Sequence, residues 1–343
     1  MNLKKSSLRL VCFGFASCWL VSCDADTSDG FISDFDIRKL PSFTEPFPAI
    51  DLTDFVISGR AFSEADNSIT VLLNPLVDRN APEVGLPFSS SGLTLTYNGS
   101  ECTPDVSSVG DTNVNGDLVF ILDTTGSVSW AIEGMKRGIA TFLNGLTSIG
   151  VTPRVAGVEY GDEVRTSVDF TDVGPFLTWV NSLRPEGGGD LPENPLDAID
   201  YAWDNFDFRP NALRMFINIT DIGFHERDDG TDFAQTNLSE LADKVKGQGI
   251  FSVIHADTAP DPAFGFELGV HPRYISEALG GFYVSLSGDL NSFDIAADTP
   301  IDEELSNVTV ARCPAGTFDG TREIDVAYSG VGDDLRATIP IND

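Results

Sequence analysis

Positive charge is what this sequence most lacks. Only 21 Lys and Arg stand against 53 Asp and Glu in 343 residues, a formal net charge of −32. No cluster of Lys or Arg occurs anywhere, which excludes a surface that tracks nucleic-acid phosphates. Histidine is nearly as scarce, with three residues, His225, His255 and His271, scattered along the chain. No Gly-x-Ser-x-Gly elbow or spaced Ser/His/Asp set accompanies them, so hydrolase chemistry has no support. After the N-terminus no run approaches the ~18 uncharged apolar residues of a spanning helix, which excludes a multi-pass membrane protein. Hydrophobic residues still make 41% of the chain, enough for a core.

The first residues read as a targeting signal. Lys4, Lys5 and Arg9 form a positive region, and Leu10 to Val21 an apolar run of signal-peptide length. Leu20-Val21-Ser22-Cys23 resembles the lipobox of bacterial lipoproteins, which implies acylation at Cys23 and a membrane anchor in the cell envelope, facing the periplasm or the cell surface. Five cysteines are present, of which Cys12 and Cys18 would leave with the signal and Cys23 would carry lipid. The remaining two, Cys102 and Cys313, read as one disulfide in an oxidising compartment.

The expected organisation has five parts: a signal over 1–22, an acidic tether over 23–50, half of a β module over 51–112, an α/β domain over 113–307, and the second half of the β module over 308–343. FVISGRAF, SITVLLNPLV and LTLTYNGS before the α/β domain, and VTVARC, REIDVAYSG and LRATIPI after it, are β-type runs. Together they supply about six strands, and a Cys102–Cys313 bridge would staple the two halves. Between them strands and helices alternate, which predicts a doubly wound, mostly parallel sheet. Asp117–Asp123 is an almost continuous apolar strand, as burial on both faces requires. Ile132, Met135, Ile139, Phe142, Leu146 and Ile149 mark an amphipathic helix ending at Gly150. A hairpin turns at Asp162-Glu163, a helix covers 194–206, and a second buried strand covers 213–221. Asn237 and Glu240 are placed to cap a further helix that Gly247 ends.

Hard oxygen donors collect where strands end. Asp123-Thr124-Thr125-Gly126-Ser127 follows the first buried strand, and Thr220-Asp221 closes the second. Between them lies the glycine-rich Gly187-Gly188-Gly189-Asp190-Leu191-Pro192-Glu193. Ligand sites of open α/β sheets form at such carboxyl ends, and an all-oxygen set suits Mg²⁺, Mn²⁺ or Ca²⁺.

The three motifs together resemble the von Willebrand factor A domain with its metal-ion-dependent adhesion site, over roughly residues 115–305. Asp123, Thr125 and Ser127 match its Asp-x-Ser/Thr-x-Ser motif, and Thr220 and Asp221 its strand-end pair. Glu193 takes the middle-loop ligand position, with Asp190 a second candidate. The resemblance implies direct metal contacts from Thr125 and Ser127, water-mediated contacts from Asp123 and Asp221, and an open position for the acidic side chain of a protein ligand. A metal mainly structural in an envelope scaffold, or a metal-dependent hydrolase, are the rival functions. Trp130 and Ala131 stand where integrin β chains place acidic residues of an adjacent calcium site, so such a site is not expected. Asp111, Asn113, Asn115 and Gly116 have the opening spacing of a calcium loop but read better as a turn, because Leu122 occupies the twelfth position.

Overall fold

The computed structural model describes residues 55–78, 81–188, 192–229, 232–256, 269–287, 289–331 and 334–342, and the backbone of 9–13 and 17–21. The chain divides into two units, residues 1–45 and 46–343. In the first, Arg9–Phe13 pairs antiparallel with Ser17–Val21. Cys23, the tether and Asp190 lie outside the described residues.

The larger unit begins with β1 (Gly59–Ser63), β2 (Ile69–Leu73), β3 (Leu76–Asp78), β4 (Ala81–Leu86), β5 (Leu93–Tyr97), β6 (Ser100–Cys102) and β7 (Asp105–Ser108). The alternating part runs α1 (Val109–Thr112), β8 (Val114–Asp123), α2 (Ser129–Ser148), β9 (Val151–Tyr160), β10 (Val164–Thr171), α3 (Val173–Ser182), α4 (Pro195–Asn205), β11 (Ala212–Thr220), α5 (Leu238–Val245), β12 (Ile250–Ala256), α6 (Arg273–Leu279), β13 (Tyr283–Leu286) and α7 (Ile301–Ser306). It closes with β14 (Thr309–Cys313), β15 (Glu323–Tyr328) and β16 (Leu335–Asn342).

Six strands form the α/β sheet in the order β10-β9-β8-β11-β12-β13. Every pairing is parallel except β9–β10, the expected hairpin, so the sheet is mixed only at that edge. Side chains of β8 alternate between two cores, as period-2 geometry demands. Leu118, Phe120 and Leu122 pack with Met135, Ile139 and Phe142 of α2 and Phe176 of α3. Val119 and Ile121 pack with Ile199 of α4, Leu241 of α5 and Ile275 of α6. Gly150, at φ +90°, ends α2 in the left-handed region that favours glycine.

The flanks share one sheet of eight strands, ordered β6-β5-β15-β16-β1-β2-β14-β7, against the expected six. Strands from before and after the α/β region therefore interleave. A parallel pairing of only Ile341↔Ala61 and Asn342↔Phe62 joins its halves. Val71, Leu73, Leu95, Ala311, Val326 and Ile341 share a third core. Cys102 and Cys313 are disulfide-bonded, with Cα atoms 5.8 Å apart. Asn74 Nδ2 donates to Gly247 O at 3.3 Å and Gly249 O at 3.0 Å, joining this sheet to the α/β part.

One local expectation is corrected. Asn237 occupies the cap position of α5 but its side chain makes no capping bond; Glu226 Oε1 accepts from Leu238 N instead, and Glu240 pairs with Arg227. Gly247 follows the α5 C-cap, Lys246, at φ +67° and ends the helix as expected, with Lys246 itself also left-handed at φ +46°.

Candidate metal centre

The site is assembled at the carboxyl end of β8, beside the ends of β9 and β11. Asp123 is the last residue of β8, in register with Tyr160, and is fully buried. The chain then turns through Thr124 and Thr125 into a short 3₁₀ segment, Gly126–Val128, that leads into α2. This strand–turn–helix path fixes the Asp123 carboxylate. Its Oδ1 accepts from Thr125 N at 2.9 Å and Thr125 Oγ1 at 2.8 Å, and its Oδ2 from Thr220 Oγ1 at 2.8 Å. Ser127, exposed, donates from Oγ to Asp221 Oδ1 at 3.0 Å. Each of the two motif hydroxyls thus donates a hydrogen bond to a carboxylate, and a hydroxyl so engaged keeps its lone pairs as acceptors.

The middle loop reaches the same place. Gly187 and Gly188 have φ of +78° and +99°. A side chain at Gly188 would put its Cβ 3.5 Å from Glu193 Oε1 and 3.7 Å from Thr125 Cβ, so this backbone passes between the two residues. Glu193 is buried. Its N–H donates to Gly223 O at 3.1 Å, and its carbonyl accepts from His225 N at 3.0 Å, which ties the middle loop to the chain after Asp221.

Electrostatically the site is short of positive charge. Burial pushes the Asp123 carboxyl up to about 6, with the nearby Asp221 charge adding to the rise. Burial likewise raises Asp221. Tyr160, wholly buried, is raised first by burial and then by Asp123 and Glu193; its Oη donates to Asn218 Oδ1 at 2.8 Å. Carboxylates held where ionisation is costly, with hydroxyl oxygens beside them, suit a hard cation in donor type and in charge. Among the described residues no three His, Cys, Asp or Glu side chains gather as a metal cluster; the donor set at this end of the sheet depends on hydroxyls.

Asp123, Thr125, Ser127, Glu193 and Asp221 are therefore brought to one end of the sheet. Trp130 and Ala131 are buried, and Trp130 packs edge-to-face on Phe293 at 5.2 Å. His225 lies in the loop after β11, where Nδ1 contacts Asp229 Oδ2 at 2.5 Å. His255 is hydrogen-bonded to Tyr283 Oη at 2.8 Å. Asp111 binds the Ser108 hydroxyl at 2.8 Å within the turn before β8. Sequence reasoning missed a second layer: Thr124 Oγ1 donates to Glu159 Oε1 at 3.0 Å, and Thr166 Oγ1 to Glu159 Oε2 at 2.6 Å. An acid following the apolar run Val155–Val158 near the end of β9 was the available signal for Glu159.

A match to a family model agrees with this fold. Residues 117–222 match the family model described as von Willebrand factor A domain. A stretch of 128 residues is 28% identical to the alpha-protein kinase vwkA of Dictyostelium discoideum, over 34% of this chain and 19% of that protein. The chain thus spans about a fifth of the curated relative's length. Among solved structures, the conserved hypothetical protein BatB of Bacteroides thetaiotaomicron is 19% identical, with 56% of this chain and 97% of that chain covered and a TM-score of 0.39. Proximal thread matrix protein 1 of the mussel byssus, solved with a zinc-occupied MIDAS motif, is 13% identical over 61% of this chain and 50% of that chain, at a TM-score of 0.40. The α/β part of this chain has a von Willebrand factor A-type fold.

Proposed function

We propose that this protein is a lipid-anchored bacterial envelope protein whose A-type domain takes up a divalent cation and through it binds a protein ligand. The observation that carries the reading is the convergence of Asp123, Thr125, Ser127, Glu193 and Asp221, from three separate loops, on one end of the sheet. Thr125 and Ser127 would hold the ion through their hydroxyls, with Asp123, Asp221 and Glu193, and with Asp190 as a further candidate. When bound, a Mg²⁺ ion, or Mn²⁺ or Ca²⁺ in its place, would supply a Lewis-acidic position for an acidic side chain of the partner.

The chain's own groups have defined tasks. Asp123 orients the Thr125 hydroxyl and accepts a hydrogen bond from the Thr220 hydroxyl; Asp221 orients the Ser127 hydroxyl in the same way. Few of the expected direct contacts are carboxylates, so an ion here keeps much of its charge for the partner. A local cation also offsets the field of a chain at −32, which would otherwise repel an acidic ligand. The role proposed is binding, without catalysis. Attachment through Cys23 would place the domain at a membrane surface.

The test is a cross-linking pull-down from native membranes with Mg²⁺ or with EDTA, using wild type and Asp221→Ala. Capture that needs Mg²⁺ and fails in Asp221→Ala supports the reading. Capture indifferent to both overturns it.

A further inference from the structure

Arg165 lies near the start of edge strand β10, outside the donor set, yet it touches two of the loops that build the site. Its Nη1 donates to Thr124 Oγ1 at 2.9 Å and Thr124 O at 3.2 Å in the first loop. The same nitrogen donates to Glu186 O at 2.7 Å, where the middle loop begins. A backbone bond from Glu186 N to Thr124 O, 2.9 Å, runs alongside. The other nitrogen, Nη2, is packed against the backbone. A Cβ at Gly161 would come within 2.3 Å of it, and one at Gly187 within 2.8 Å. Gly187 also needs its positive φ of +78°. Two glycines thus leave room for one planar guanidinium.

The far end of the middle loop is fixed to the same hairpin turn. Asn194 N donates to Gly161 O at 3.0 Å, and Asn194 Nδ2 to Asp162 O. The loop that carries Glu193 is therefore held at both ends by residues 161–165. The Glu186 end is also tied to the Asp123–Ser127 loop, and there the tie runs through Thr124 and Arg165. Thr124 neighbours both Asp123 and Thr125, so a shift of its carbonyl moves two donors together.

We infer that Arg165 is a positioning residue, which sets the Thr124–Thr125 segment against the Glu186–Glu193 loop and so fixes the separation of the hydroxyl and Glu193 donors. It touches neither the ion nor the partner. A planar fork suits the task, because one nitrogen spans acceptors on two loops while the other lies flat against glycine. A lysine ammonium at this position has the charge but not the second nitrogen. The metal readout of this inference rests on the function proposed above.

The experiment compares full-length wild type, Arg165→Gln and Arg165→Lys in two measurements. The first is Mn²⁺ binding by calorimetry and electron paramagnetic resonance. The second is amide hydrogen exchange over 186–194 in metal-free protein. Loss of an outer partner typically weakens metal binding about 10–100-fold. Arg165→Gln is expected in that range, with faster exchange at the Glu186 amide; Arg165→Lys, which keeps folding secure, is expected between it and wild type. Equal Mn²⁺ affinity in all three, or a Glu186 amide exchanging at the wild-type rate in both variants, overturns the inference. If wild type itself binds no Mn²⁺, the metal reading fails, and exchange alone decides Arg165: faster in the variants supports the clamp, unchanged refutes it.

Discussion

At the residue scale the decisive group is Asp123, because burial and the proposed cation binding pull its protonation in opposite directions. Its carboxyl is raised to about 6 by burial. The folded state therefore binds a proton that the unfolded chain, with an ordinary carboxyl near 4, has already lost. Its contribution to the stability of metal-free protein is full at low pH and falls as pH rises from about 4 to 6. Metal-free wild type should accordingly lose stability relative to Asp123→Asn between pH 5 and pH 7.5, by about 1.4 kcal/mol, because half of the fall is already complete at pH 5; urea midpoints at both pH values check this. A cation needs the carboxylate, so Mn²⁺ affinity should rise over the same window, and calorimetry at pH 5 and 7.5 reads it. Asp117, at the opposite end of β8, is a contrasting case. It is fully buried yet accepts from Arg154 Nε and Nη2, Arg209 Nε and Arg209 N, so its charge is satisfied. Asp117→Ala should cost about 3 kcal/mol in urea unfolding, the low end for a broken buried pair because both arginines remain partly exposed.

At the element scale, the sheet and helices α2, α4 and α5 were legible, and α3, α6 and α7 were not. β8 and β11 are buried on both faces, so they read as continuous apolar runs. Helix α2 has twenty residues, long enough for its period to show. Helix α3 buries only Phe176 and Val180, and Gly174 and Pro175 in its first turn read as breakers; proline is tolerated there because no intrahelical N–H bond is lost. The motif donors were readable because they occupy strand ends in sequence order. Arg165 was not: a lone cation on an edge strand carries no pattern, and its partners are mostly carbonyls supplied by the fold. Helix α2 also shows how close packing sets composition. Gly134 faces Phe293, whose Cδ1 and carbonyl lie 2.2 and 2.8 Å from where a Cβ would stand. Gly134→Ala gains about 1 kcal/mol of helix propensity but must displace both Phe293 and its backbone. Overpacking of that kind costs about 1–3 kcal/mol, so a net loss of stability is expected in a urea titration. A variant as stable as wild type would show that the 293 segment yields freely.

At the scale of the whole molecule, the α/β part is held between two chain segments far apart in sequence. β14, which follows it, pairs with β2 and β7, which precede it. Two hundred and eleven residues separate Cys102 from Cys313, and the bridge closes them into one loop. In the chain-entropy view a loop this long stabilises the fold by about 5 kcal/mol, an upper figure because unfolded chains retain structure. Cys313 is fully buried and lies in the core shared by both flanks, so its replacement would also disturb packing; the cleaner variant is Cys102→Ser, at the half-exposed partner. Its effect should fall on the flanking sheet first, since β6 and β14 lose their covalent link while the α/β cores keep every contact. Non-reducing peptide mapping should recover a Cys102–Cys313 linked peptide from native protein. Cys102→Ser should then unfold at lower urea, with exchange rising in β5, β6 and β14 before β8. Free thiols at both positions in native protein, or an unchanged urea midpoint in Cys102→Ser, would show that no such staple stabilises the flanks.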